Sequence, residues 1–394
     1  MAPADAPSYD VDFYDEGLVA DPYPHYKTIR DLGPAVWLPK NEMWAISRYD
    51  DVRAALKASD VLISGKGVSN NRFMNNERQV ATLVSDGDRH RLHRGLVMKP
   101  IMASQIKVLR GRVESTADAL IDRVLGQEID GMADFAQVIP LDIVSHLVGL
   151  PEAGRENMLK WAAATFDTLG SLNKLARQAI PVVQESFKYT ADLKREDVVP
   201  DGWAAQLFDA ADDGILDPED IPGLLQDYIA PSLDTAIFSI GHMLHNLGRH
   251  PKQWAQIRAD PTLIPGVVNE VVRIESPIRA FTRYANADYV VAADTAEART
   301  LAEGSRAVII YASANHDERH YDNPDDFDIH RRNNDQLGFG YGVHTCLGRH
   351  LAKLELTSLL EAMARKVERI EVGEPVYMRN NVLRGFSSMP VQLF

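Results

Sequence analysis

The stretch Phe339-Gly-Tyr-Gly-Val-His-Thr-Cys-Leu-Gly348 holds Cys346, the single cysteine among 394 residues. Glycines at 338, 340, 342 and 348 are expected to let the backbone take positive φ and come close to something flat or bulky. A long helical pattern starts right after Gly348, so Cys346 should sit just before a helix N-terminus. There the unpaired N–H groups and the dipole favour an anion, which is expected to lower the thiol pKa. Several chemistries suit a lone cysteine. It can be a small buried hydrophobe. It can be a nucleophile, although the nearest base, His344, lies in the same glycine loop rather than on a separate element. Zinc needs more soft ligands than one cysteine. A thiolate bound to haem iron needs a single cysteine, close backbone approach and N–H groups aimed at sulfur, and this option accounts for every feature of the stretch.

Two further spacings are set aside. His316 and His320 have the i,i+4 separation of a metal pair, but turn residues crowd between them and follow a strand-like run, so no metal site is expected. Gly65-Lys-Gly67 lacks the rest of any phosphate loop.

The elements that must position Cys346 are mostly helical. Short strands (AVWLPKNEMWAIS, turning at Pro39-Lys40-Asn41) and short helices such as YDDVRAALKAS occupy the first hundred residues. From about Met102 to His250 apolar residues recur at three and four, as in IKVLRGRVESTADALIDRVL. Brief β-rich pieces, YVVAA and RAVIIYASA, follow Tyr289; a helical pattern, RHLAKLELTSLLEAMARKV, then leads to strand-like VYMRNNVLRGF and PVQLF. No repeat or linker divides the chain, so one domain over 1–394, mainly α with small β-sheets, is expected. Hydrophobic residues at 45% and charged residues at 25% give an ordinary globular balance. A net charge of −14 argues against nucleic acid as the main partner. The N-terminus MAPADAPSYD lacks the marks of a signal peptide, and no apolar run reaches the ~20 residues that span a bilayer, so a cytoplasmic protein without a membrane anchor is expected.

FGYGVHTCLG resembles the haem-binding signature of the cytochrome P-450 superfamily, Phe-Gly-x-Gly-x-His/Arg-x-Cys-x-Gly, at every fixed position. The likeness runs from about Asp21, through DPYPHY, to the C-terminus. It implies haem b (iron protoporphyrin IX) between a long I helix and the L helix, with Cys346 as axial ligand to the iron and Phe339, Gly340, His344 and Gly348 around it. Glu270-Val-Val-Arg273 is similar to the family's K-helix Glu-x-x-Arg, and Arg331, after PDDFDIH, stands where its third charged partner lies. These three are expected to be architectural, as a buried charge cluster is costly and does no chemistry here. His90-Arg-Leu-His-Arg94 matches the C-helix His-x-x-x-Arg, one turn apart, and Arg283 matches the arginine of the strand after the K helix. The resemblance makes them, with His344, contacts of the haem propionates.

On the oxygen side, Pro218–His250 reads as one helix-compatible segment, roughly 50 Å long at about 1.5 Å per residue. Asp234-Thr235 in its middle matches the family's acid-alcohol pair, which delivers protons during oxygen splitting. Where the family has Ala-Gly, this chain has Pro231-Ser232. Proline clashes with the carbonyl of Asp227 and should impose a kink, while Ser232 is expected to add a hydroxyl. Residues over the haem would be the 68–84 loop, Phe166, Ser232, Ile278, Arg279, Phe281 and Phe386; the phenylalanines suit a flat apolar or aromatic substrate. Arg279 is open to an acidic or phenolic group, and equally to a surface or propionate role. TFDTLGSLN and VLRGFSSMPV look like bacterial members that demethylate methoxy-substituted aromatic acids. The resemblance implies a monooxygenase that uses O2 and electrons from NAD(P)H, passed by a reductase and a ferredoxin that docks on basic residues near the thiolate: Arg89, Arg91, Lys99, Arg349 and Lys353. A terpenoid or other secondary-metabolite hydroxylase is the alternative within the superfamily. A non-catalytic haem-thiolate sensor or a haem-free cysteine hydrolase are the alternatives from other classes.

Overall fold

The computed structural model of the chain describes residues 6–76, 80–332 and 334–394. The first five residues of the N-terminal stretch discussed above lie outside them. Strands β1 (Val36–Leu38) and β2 (Met43–Ile46) form the expected hairpin about a 3-10 turn at Pro39–Asn41, with Val36 opposite Ala45. They extend into a five-stranded sheet with β3 (Leu62–Ile63), β4 (Phe281–Ala285) and β5 (Arg306–Ile309), in the order β1-β2-β5-β4-β3. Side chains alternate along β4. Phe281 and Arg283 share one face, whereas Thr282 turns back and bonds the Ser69 carbonyl at 3.0 Å.

The β-rich reading of RAVIIYASA holds only as far as Ile309, because Tyr311–Ala314 coil into a short helix. Likewise only Val376–Tyr377 and Phe386 pair as strands in the C-terminal run, and the residues between them turn on hydrogen bonds to the Asn380 side chain. PVQLF becomes the central strand of a second, three-stranded sheet.

The body is helical, as expected. The helix Ala103–Val124 buries Ile106, Val113, Ala117, Leu120, Ile121 and Val124, one stripe at intervals of three, four and seven. Five other helices matter for the site: α1 (Gly87–Met98), α2 (Ile221–Ile229), α3 (Asp234–Arg249), α4 (Ile264–Ile274) and α5 (Arg349–Lys366). At the end of α5, where the dipole favours cations, Arg365 and Lys366 pair with Asp118 and Asp122 of Ala103–Val124, each at 2.8 Å. Both α3 and α4 are buried along most of their length, so they form the centre of the core.

The segment Pro218–His250 is not one long helix. The backbone ladder of α2 ends with Ala230 N–H on the Gln226 carbonyl, and that of α3 begins with Ile237 N–H on Leu233. Pro231 has no N–H to continue the ladder, so the expected kink is a full interruption. Side chains take over two of the carbonyls: Ser232 donates to Tyr228, and Thr235 to Pro231 at 3.0 Å.

Candidate active site

Cys346 faces a cavity of about 780 Å³ in the middle of the molecule. Its N–H donates to the Phe339 carbonyl at 2.8 Å, which closes the loop on itself. Of the four glycines, Gly340 (φ 69°) and Gly342 (φ 73°) take positive φ. Gly338 serves another need: a Cβ there would stand 2.7 Å from the Val272 carbonyl oxygen. Gly348 caps α5 at an ordinary φ of −77°. The N–H groups of Gly348 and Arg349 do act on the sulfur, as does the Arg94 guanidinium. Burial outweighs them, so the thiol is pushed up rather than down.

One end of the cavity is cationic. Arg94 lines it from α1 and donates to the Thr345 carbonyl at 2.5 Å; Arg283 lines it from β4. His344 lies on the wall, and the ring of His90 stands behind it at 4.4 Å between centroids. Both have a buried Nε2 with no hydrogen-bond partner. Burial, with Arg283, His90 and Arg94 nearby, keeps His344 neutral, well below its ordinary range.

The facing wall comes from α2, α3 and the break between them. Thr235 and Ser232 line it, with the Ser232 hydroxyl turned back to Tyr228 rather than offered to the cavity. Asp234 is buried and is not on the wall. Its Oδ2 has no partner, and burial raises its pKa to about 7. The apolar wall includes Phe166, Ile278 and Phe281, as expected, and Val68, Phe73, Met74 and 80–84 of the 68–84 loop. Residues 77–79 of that loop lie outside the described residues. Phe73 and Phe187 are each 44% exposed, so they mark where the cavity meets solvent.

Two expected pocket residues are elsewhere. Arg279 is buried off the wall, held by the Tyr26 hydroxyl at 2.9 Å and the Asn381 carbonyl at 2.6 Å, with its guanidinium over Phe13. It ties the N-terminal segment to the C-terminal turn. Phe386 packs among His242, His245 and Tyr377, further along α3 than the Thr235–Ser239 stretch that lines the cavity.

Glu270, Arg273 and Arg331 come together. Arg273 grips Glu270 with two bonds of 2.7 and 2.8 Å, both side chains fully buried, and Arg331 reaches the same carboxylate at 3.2 Å. Carbonyls of Asn315, Pro324 and Asp326 take further N–H groups of Arg273. Of the five basic residues expected to face a redox partner, two are neutralised. Arg89 pairs with Asp220 at 3.1 Å and Arg91 with Asp88. Lys353 donates to Asn269 at 2.8 Å; Lys99 and Arg349 are exposed. His316 bonds Asp325 and the Ile274 carbonyl, and His320 bonds Asp335 and stacks on Tyr49, so the histidine pair is structural. Among the described residues no cluster of three or more His, Cys, Asp or Glu could hold a bare metal ion.

Sequence reasoning missed three acids on the wall, Glu219, Asp227 and Glu355, of which burial shifts the last two. Asp227 of α2 accepts the Thr82 N–H at 2.9 Å, and burial raises its pKa to about 7. Glu355 of α5 is 1% exposed, has an unpartnered Oε1, and is raised to about 8. A signal existed for Asp227: Gly223, Asp227, Pro231, Thr235 and Ser239 follow at steps of four through an apolar segment, and all five line the cavity.

A mainly helical body closed around a cavity with one sulfur, cations at one end and a hydroxyl opposite defines a haem-thiolate oxygenase. The Cytochrome P450 family model matches residues 162–368. Cytochrome p450 CYP199A2 of Rhodopseudomonas palustris is 35% identical over 397 aligned residues, covering 99% of this chain and 95% of its own. Cytochrome P450-terp of a Pseudomonas species is 31% identical, covering 94% and 93%. A solved structure, Mycobacterium marinum cytochrome P450 CYP268A2 in complex with pseudoionone, superposes with a TM-score of 0.86 at 26% identity, covering 99% of this chain and all of that one. This chain belongs to the cytochrome P450 family. It is a haem-thiolate monooxygenase, and its cofactor is haem b. The cavity fits that group on its own evidence, since it supplies one sulfur, two guanidinium groups and the His344 ring, whose Nε2 is buried without a hydrogen bond. Among the described residues no helix is long and apolar enough to cross a membrane.

Proposed function

We propose that the chain is one haem-thiolate domain over 1–394 that inserts an oxygen atom from O2 into a small, apolar, aromatic substrate by hydroxylation or O-demethylation. The observation that carries this is the sharing of one cavity by the Cys346 sulfur, the Arg94, Arg283 and His344 cluster, and the Thr235 hydroxyl. Haem iron, when bound, supplies the activation of oxygen. Cys346 would hold the iron, with the N–H groups of Gly348 and Arg349 stabilising sulfur charge. Arg94 and Arg283 would bind the propionates as charge-assisted donors, with the Nε2 positions of His90 and His344, which make no hydrogen bond within the protein, serving the same end. Phe339, Gly340 and Gly348 would shape the bed beneath the ring. Glu270, Arg273 and Arg331 brace the segments below.

Thr235 would present its Oγ1 hydroxyl at the cavity, and Asp234 would hold a proton on its carboxyl near neutral pH and restore the hydroxyl through the gap opened at Pro231–Leu233. Phe166, Ile278 and Phe281 would exclude water and hold a flat ring. Electrons would come from NAD(P)H through a reductase and a ferredoxin docking near Lys99, Arg349 and Lys353, in the cytoplasm. The test is spectroscopic. The reduced protein with carbon monoxide is expected to absorb at the thiolate position, and Cys346→Ser to lose that band and all oxidative turnover. Unchanged pigment and turnover in Cys346→Ser would overturn the assignment.

A further inference from the structure

Asp227 has no part in the function just proposed, yet it stands on the cavity wall two four-residue steps upstream of Thr235. The Thr82 N–H holds its Oδ2 at 2.9 Å, and the Thr82 hydroxyl bears on the same carboxyl. A carboxylate offers about four acceptor positions, so acceptor capacity is left for the cavity. The hydroxyl and amide donors beside Asp227 on α2 and α3 are engaged within the protein, and the other acids of the cavity, Glu219 and Glu355, stand on other segments. Ser232 donates to Tyr228, Thr235 to Pro231, and the Gln226 amide to Ser186 and Thr190. Among the described residues, the Arg and Lys side chains on the wall are Arg94 and Arg283, both at the end given above to the propionates. The cation that the sequence offered to an acidic substrate, Arg279, is bound elsewhere.

We infer that Asp227 receives the polar end of the substrate and sets its class: an apolar, aromatic molecule whose far end is a hydrogen-bond donor, neutral or cationic, in preference to one ending in a carboxylate. This rests on the monooxygenase reading and narrows it, turning away from the aromatic acids suggested by local sequence likeness. A carboxylate set against Asp227 would either carry in a proton or leave two like charges facing each other in a poorly solvated site. A donor instead completes the acceptor, and a hydrogen bond to a charged group is worth about a ten- to hundredfold change in affinity. Burial raises the Asp227 carboxyl, the Thr82 hydrogen bonds and then Arg94 lower it, and the result is about 7, so it is an anion at mildly alkaline pH.

The experiment uses the haem-loaded protein at about pH 8, one unit above that value. Three matched compounds, para-methoxybenzamidine, para-methoxybenzyl alcohol and para-methoxybenzoate, are titrated by the ferric Soret shift and by calorimetry. The amidine and the alcohol are expected to bind at least about tenfold more tightly than the benzoate. In Asp227→Asn the amidine should lose about tenfold or more while the benzoate gains, and Asp227→Ser should repeat that reversal. Benzoate bound as tightly as the amidine by the parent, or an unchanged ranking in a variant that keeps its carbon monoxide band, overturns the assignment of Asp227 alone. A parent with no thiolate band overturns the monooxygenase reading as well.

Discussion

Asp234 shows how burial creates a proton donor from an ordinary side chain. At 6% exposure and with Oδ2 unpartnered, its ionised form is disfavoured and the pKa rises from 3.8 to about 7. Between those values the folded chain keeps a proton that the unfolded chain has lost, so this contribution to stability is complete below about pH 4 and disappears as pH rises through 7. Its upper bound is about 4 kcal/mol. Asp234→Asn should therefore match the parent in thermal midpoint at acid pH and exceed it at pH 8, while turnover falls about a hundredfold. Melting curves across pH read the first effect, and product formation reads the second. The motifs that carried the family resemblance pointed to Cys346, Arg94, Arg283 and Thr235, and these four line one cavity. Such motifs are silent where a distant partner decides: nothing near Arg279 in the sequence announces Tyr26 and Asn381 as its acceptors, and Phe386 depends on how the last turn folds back on α3.

Between elements, the interruption at Pro231 has two measurable sides. A proline within a helix costs about 3 kcal/mol relative to alanine, so Pro231→Ala should raise the thermal midpoint if it lets the ladder from Gln226 to Leu233 close. The same closure would occupy the residue-231 carbonyl with the Thr235 N–H and narrow the gap beside Asp234, and less product per electron consumed is expected. A variant that is both more stable and equally coupled would count against a role for the break. Under α4 the charge cluster works the other way. Glu270→Gln leaves the buried Arg273 charge short of its counterion, which should lower stability by about 3–5 kcal/mol and reduce haem content, as read by chemical denaturation and pigment-to-protein ratio. The helices themselves were readable because their apolar residues recur at three and four. The break was read only as a kink, since a single proline in an apolar run does not reveal whether neighbours will repair the ladder, and here two hydroxyls satisfy the carbonyls instead.

For the whole molecule, a chain of −14 keeps Lys99 and Arg349 exposed, and Arg349 bears directly on Cys346. Reduction by an acidic ferredoxin should slow several-fold as salt rises past the point where the screening length falls to about 10 Å, and Lys99→Glu should flatten that dependence. Stopped-flow reduction rates across a salt series decide it. The sequence-level view of that face was too generous, because acids far along the chain, such as Asp220 against Arg89, cancel charges that look free in one dimension. The cavity has a last consequence. Its sulfur and two guanidinium groups come from three separate parts of the chain and meet only on folding, so the pigment acts as a ligand that stabilises the folded form alone. Abundance of the polypeptide in a living cell should then track iron supply, since newly made chains that find no porphyrin are the ones that proteases reach first.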